Sequence, residues 1–223
     1  MQPIAHIRTA FPDKFGIPRQ SGLVPELEGE IVFCPAYRNP DALRGIEEFS
    51  HLWLIWEFSG TDRGGWSPTV RPPRLGGNTR VGVFASRSPF RPNPIGLSCV
   101  RLLEVLTDTK DGTVLRVAGA DLMDGTAILD IKPYLPYADA HPDASAGFGG
   151  RVFDIALEVE ISEDLLALIP EKDREAVRAI LAQDPRPSYQ ADPDRVYGMR
   201  YKHLEIKFRV EEKTLTVTAV EEV

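Results

Sequence analysis

His51-Leu-Trp-Leu-Ile-Trp-Glu-Phe58, "HLWLIWEF", is a short apolar run preceded by Ser50 and followed by Ser59-Gly60. An apolar stretch of this length between turn-forming residues reads as a β-strand. Six further runs bounded by Gly, Pro, Asn or Asp occupy residues 4–9, 29–33, 80–86, 97–105, 114–120 and 128–131. Seven short strands with turn chemistry between them predict an all-β barrel or sandwich. Only one helix fits this region: "NPDALRGIEEFS", with Asn39 as cap and Pro40 at the first helical position. His51, at the head of its strand, reads as a satisfied core histidine rather than a catalytic one.

The composition changes at "LPYADAHPDASAGFGG", a linker near residues 136–150. Beyond it, "VFDIALEVEIS" alternates as a strand, and residues 163–183 carry leucine and isoleucine at helical spacing, interrupted at Pro170. Two helices, the second starting at Pro170, fit that pattern. "HLEIKFRV" and "LTVTAV" form an apparent hairpin with Leu204, Ile206, Phe208 and Val210 on one face. The expected organisation is a β domain over residues 3–143 and a small α+β domain over 151–223.

The composition, 43% hydrophobic and 26% charged over 223 residues, is that of a globular protein. No apolar run approaches a membrane span, and "MQPIAHIRTAFPDKFG" lacks a signal-peptide core, so the expected location is cytoplasmic. Cys34 and Cys99 read as buried free thiols, and with four scattered histidines they give no zinc spacing. The net charge of −7 hides a division. Between Arg63 and Leu103 lie seven arginines and no Asp, Glu or Lys, leaving 19 basic against 33 acidic groups elsewhere. A planar guanidinium chelates phosphate or carboxylate and stacks on bases, so this band suits an anionic partner, unless acids from elsewhere in the fold pair with it.

Familiar nucleotide signatures are missing. No G-x-G-x-x-G joins a strand to a helix, "GNTRVGV" has Val83 where a Walker loop needs lysine, and "GLSCV" lacks the second glycine of a nucleophile elbow. Two stretches carry more chemistry. In "RPPRLGGNTRVGVFASRSPFRPNPIG", the prolines after Ser88, Arg91 and Asn93 enforce an extended, stiff loop that presents Arg87, Arg91 and Asn93. It is also readable as a plain polyproline surface turn. In "DLMDGTAILDIKPYLPY", Asp124-Gly125 makes a tight turn, and Asp130, Lys132 and Tyr134 share one strand face opposite Leu129 and Ile131. That trio is either a salt bridge with an aromatic cover or a base, an anion anchor and a stacking group. The loop "FGIPRQSGL" adds Arg19 and Gln20.

"FGIPRQSG", "RGIEEFSHLWLIWEF", "GGWSPTVRPPRLGG", "VGVFASRSPFRPNPIGLS" and "LMDGTAILDIKPYLPY" occur in the order and spacing of the TsaA-like family. The chain resembles that family's bacterial TrmO-type members, the tRNA (adenine-N6)-methyltransferases, over most of residues 3–143. "LAQDPRPSY" resembles the C-terminal extension of the longer members. The resemblance implies a single-sheet, antiparallel barrel-like fold that binds S-adenosylmethionine (SAM) without a Rossmann domain, and a homodimer with the cofactor near the subunit interface. It implies methylation of N6 of threonylcarbamoyladenosine beside the anticodon of tRNAs reading ACN codons. Carried over by position, the cofactor contacts are Gln20, Ser21, Gly22, Phe58, Ser59, Arg87, Leu97, Asp124, Gly125, Thr126, Ala127 and Ile128. Ala127 stands where the family commonly has proline.

On that basis Asp130 is the expected base, Tyr134 positions the modified adenine, and Lys132 or Arg91 pairs with the threonyl carboxylate. Arg71, Arg74, Arg80 and Arg91 are expected to meet tRNA phosphates. Two other readings share these residues. One is a non-catalytic module binding RNA or a phosphorylated metabolite, and the other is a SAM-dependent methyltransferase with a different small or RNA substrate.

Overall fold

The computed structural model describes residues 1–58, 66–72, 75, 78–151, 156–186 and 192–223. In chain order the first eight strands are β1 (Ala5–Arg8), β2 (Glu28–Phe33), β3 (His51–Glu57), β4 (Thr69–Val70), β5 (Val81–Gly82), β6 (Ile95–Thr109), β7 (Gly112–Ala118) and β8 (Ala127–Pro133). Six of them close a barrel in the order β1-β2-β7-β6-β3-β8, with every neighbouring pair antiparallel. Alternation sets the two faces. On β3, Leu52, Leu54 and Trp56 point into the barrel core with Val100, Leu115, Val117 and Ile128. His51, Trp53 and Ile55 therefore face outward. His51 is thus not a core histidine, and its Nδ1 lies 2.9 Å from the Ser50 hydroxyl. Neither cysteine is fully buried, and both are free.

Three local departures have local causes. The strand expected over residues 80–86 shrinks to β5, paired only with β4, and passes into a 3-10 turn at Val83–Ala85. The proline-rich sequence that follows has too few N–H donors to extend the ladder. The helix expected after Asn39 is two 3-10 turns, Pro40–Leu43 and Ile46–Glu48. Asn39 does cap the first through the Asp41 N–H, but Gly45, at φ 86°, breaks the helical path between them. In β8, Leu129 is an extra residue between the pairs Ile55–Asp130 and Trp56–Ile128, a bulge that turns Asp130 and Lys132 outward while Ile131 packs on the core.

After the barrel come α1 (Pro136–Asp139), β9 (Glu158–Glu160), α2 (Glu163–Ala167), α3 (Arg174–Ala182), β10 (Tyr197–Tyr201), β11 (Leu204–Glu211) and β12 (Thr214–Glu222). The second sheet runs β10-β11-β12-β9, with β9 parallel to β12. Pro170 separates α2 from a 3-10 turn leading into α3, as its missing N–H requires. The hairpin face Leu204, Ile206, Phe208 and Val210 is buried. β10 is an added third strand of the C-terminal meander.

The second core does not stop at the C-terminal segment. Ala10, Phe11, Val24 and Leu27, from the connection between β1 and β2, belong to it, with Phe15 and Ile17 packed against it. Phe11 meets Tyr201 edge-on at 6.1 Å, and the Lys202 N–H donates to the Ala10 carbonyl at 2.7 Å. Arg19 donates to the carbonyls of Asp184 and Arg186, both at 3.3 Å. The loop that carries Arg19 and Gln20 is thus held by the C-terminal unit.

Candidate active site

A cavity of about 590 Å³ opens at one end of the barrel. Its walls come from three places: the 10–27 loop (Lys14, Ile17, Pro18, Arg19, Gln20), the arginine-proline loop (Ser86, Arg87, Pro89, Arg91, Asn93), and the barrel rim (Trp56, Phe58, Gly96, Leu97, Asp121, Met123, Thr126). A cleft of this size with aromatic walls and a few convergent polar groups suits a nucleoside-sized ligand.

Trp56 and Phe58 form an aromatic wall with ring centroids 4.3 Å apart. The indole needs Gly96 opposite it, because a Cβ there would lie 2.2 Å from the ring. Its Nε1 donates to the Ser98 hydroxyl at 2.9 Å, and Ser98 in turn donates to Asp121 Oδ1 at 2.5 Å. Ser98 is fully buried. Burial pushes the Asp121 carboxyl above the usual aspartate range, while the Ser98 donor and the Arg87 charge pull it back. Arg87 donates to the Gln20 side-chain oxygen, which ties the two loops together across the mouth. The Arg91 guanidinium donates to the Ser86 and Ser88 carbonyls at 3.1 and 3.4 Å and braces its own loop.

Of the expected cofactor contacts, Gln20, Phe58, Arg87, Leu97 and Thr126 line the cavity. Ser21 and Gly22 stand behind the wall: Ser21 Oγ accepts from the Cys99 N–H at 3.0 Å, and the Gly22 N–H donates to Gly119 at 2.8 Å. Asp124 and Gly125 form the expected turn but fasten it to the end of β1. The Asp124 carboxylate accepts from the Thr9 N–H, and the Gly125 N–H donates to Ile7, at 2.9 and 2.8 Å. Ile128 is barrel core, and Ala127 is not among the lining residues. Ser59 and Arg74 lie outside the described residues.

Asp130, Lys132 and Tyr134 do share a face, on the outer wall of the barrel, and none of them lines the cavity. Asp130 and Lys132 form an ion pair at 3.0 Å, and Tyr134 packs 6.1 and 5.8 Å from the rings of His51 and Trp53. The Trp53 indole donates to Asp139 at 3.0 Å, and that carboxyl is held below the usual range by the Leu135 N–H and the indole. Arg71 and Arg80 are exposed on the β4–β5 arm.

Sequence reasoning gave no role to Asp121, Trp56 or Met123. Asp121 begins the "DLMDGT" stretch, but nothing in its spacing indicates a carboxylate turned toward Ser98, a residue 23 positions away.

Comparison with known proteins adds independent findings. Residues 6–140 match the tRNA-methyltransferase O N-terminal domain, and residues 154–223 match the TrmO C-terminal domain. A tRNA (adenine(37)-N6)-methyltransferase of Escherichia coli is 43% identical over 228 residues, covering 99% of this chain and 97% of the relative. One from Eikenella corrodens is 49% identical over 173 residues, covering 77% of this chain and 97% of the relative. A crystal structure of TrmO from Pseudomonas aeruginosa superposes with a TM-score of 0.77 at 36% identity, covering 98% of this chain and 97% of that one.

Proposed function

Because the chain belongs to the tRNA-methyltransferase O family, we propose that it transfers a methyl group from SAM to N6 of adenosine 37 in tRNA, acting on adenosines already bearing a threonylcarbamoyl group. The observation that carries this reading is the cavity itself. It is large enough for a nucleoside ligand, walled by Trp56 and Phe58, and rimmed by Gln20 and Arg87. SAM, when bound, supplies an electrophilic methyl group on a cationic sulfur. Gln20, Phe58, Arg87, Leu97 and Thr126 are the residues of this chain that would hold it.

The site's remaining work is positioning. The Gln20–Arg87 hydrogen bond fixes two loops that otherwise approach from different units. Aromatic walls exclude water and orient flat rings, which brings donor and acceptor into line. Arg71 and Arg80, exposed on their arm, supply phosphate contacts whose strength falls with salt. Arg91 reaches the cavity and can exchange its loop carbonyls for the threonyl carboxylate.

Asp130, Lys132 and Tyr134 enter this reading through the homodimer, as groups that orient the substrate rather than take its proton, since Asp130 is already ion-paired with Lys132 at 3.0 Å. A second copy placing its outer wall over the cavity mouth would bring that row to the substrate, and Leu97, a cavity-lining residue left exposed on β6, supports such an apposition. Light scattering on the full chain checks the dimer, and a strictly monomeric active enzyme removes the trio from the chemistry. The function is tested by mass analysis of nucleosides from tRNA treated with enzyme and SAM. The expected result is N6-methylated threonylcarbamoyladenosine from modified tRNA and little product from tRNA lacking the threonylcarbamoyl group. Equal methylation of both would remove the anchor, and no methylation of either would overturn the reading.

A further inference from the structure

Methylating the exocyclic nitrogen of an adenosine replaces an N–H by an N–CH3 and leaves a neutral product. The carbon–nitrogen bond forms while the donor's sulfur–carbon bond breaks, with its electron pair staying on sulfur, and one proton must leave the nitrogen. A nitrogen between a purine and a carbonyl is a weak nucleophile, so removing that proton during the reaction matters.

Among the described residues that line the cavity there is one carboxylate, and no histidine, tyrosine or cysteine. The cationic lining groups, Lys14, Arg19, Arg87 and Arg91, offer hydrogen-bond donors and no acceptor. We propose that Asp121 is the proton acceptor of the reaction, oriented by a hydrogen-bond chain from Trp56 through Ser98. The chain has a fixed direction. The indole can only donate, so Ser98 accepts from it and must spend its single hydrogen on Asp121 Oδ1. Ser98 is fully buried and cannot turn to water instead. Trp56 is itself seated in the space that Gly96 leaves, so the aromatic wall and the carboxylate share one support. The upward push that burial gives the carboxyl makes it a better proton acceptor than an exposed aspartate.

This inference rests on the methyl-transfer reading, and the experiment separates the two. Single-turnover methylation of threonylcarbamoylated tRNA is measured across pH for the wild type, Asp121→Asn and Ser98→Ala, with SAM affinity measured by calorimetry for each. Expected is a loss of about a hundredfold or more in rate for Asp121→Asn, within the range of general-base removal, with SAM affinity within about threefold of the wild type. The acid limb of the wild-type pH profile should vanish in that variant. In Ser98→Ala the limb should move to higher pH, because the lost donor favoured the charged carboxylate. A second readout needs no turnover: carbon-13 NMR of the free protein should show the Asp121 carboxyl titrating above an ordinary aspartate, and higher still in Ser98→Ala. Near-normal turnover of Asp121→Asn overturns the proposal, as does a parallel loss of SAM affinity and rate, which would make Asp121 a cofactor anchor. Titration in the ordinary aspartate range also overturns it. A wild-type enzyme that methylates no tRNA overturns the methyl-transfer reading, and this proposal with it.

Discussion

The barrel and the C-terminal sheet each bury an apolar interior but treat polar groups differently. Inside the barrel, Trp56, Ser98 and Asp121 form a connected polar chain that ends on an open cavity. In the second unit the buried carboxylate, Asp173, is closed off: it accepts from Lys202 at 2.6 Å and from the Tyr201 hydroxyl at 3.4 Å. Burial and the neighbouring Asp173 charge raise the Tyr201 phenol well above the usual tyrosine range. One interior is arranged to present a titratable group, the other to neutralise one. They meet in the 10–27 loop, which packs in the second core and lines the cavity of the first.

The largest effect that would sharpen this contrast is expected from Phe208→Ala. Phe208 is fully buried in the second core, and its truncation should lower stability by about 3–5 kcal/mol in a urea titration. SAM affinity should fall as well, although Phe208 does not line the cavity. Gly96→Ala acts on the other interior. Its Cβ would lie 2.2 Å from Trp56, so overpacking of about 1–3 kcal/mol is expected. The displaced indole would disturb the aromatic wall, which calorimetry with SAM would register as weaker binding.

A subtler difference should appear with pH. The folded-state pKa of Asp121 is raised, so its protonated form favours the native state below the unfolded value, and that advantage is lost as pH rises through the folded one. Asp121→Asn, which can still accept from Ser98, should therefore be more stable than the wild type near neutral pH. The gain should disappear as pH falls below about 3.9, the unfolded aspartate value. Thermal melts at several pH values check this, and a constant difference would contradict it. The smallest effects belong to the exposed arm. Removing Arg71 or Arg80 should reduce the slope of log affinity for tRNA against log salt by roughly one each, with SAM binding unchanged.

How far the sequence carried these conclusions depended on whether a feature was local. Strand alternation is local, so β3, β8 and the final hairpin could be placed from their own residues, and the face shared by Asp130, Lys132 and Tyr134 followed from the period of two, although the bulge at Leu129 is what turns that face outward relative to Ile128. The Asp124-Gly125 turn was equally readable. The direction of that outward face relative to the cavity was not, because barrel closure decides it and closure is a property of six strands together. Nor could composition reveal that Phe11 packs on Tyr201, since the contact joins segments separated by most of the chain. A division of the chain near residue 143 marks a change of composition, yet the second core draws Ala10, Phe11, Val24 and Leu27 from far upstream.

The second core packs the 10–27 loop and so sets where Gln20 stands at the cavity. Met199 is the residue through which that hold can be loosened. It is fully buried in that core and lies against Gly16 of the loop, where a Cβ would sit 2.5 Å from its side chain. Calorimetric titration of SAM into the wild type and into folded Met199→Ala is the decisive measurement. A loss of affinity of about tenfold or more is expected in the variant, equivalent to about 1.4 kcal/mol. Unchanged affinity in a folded Met199→Ala protein would contradict it.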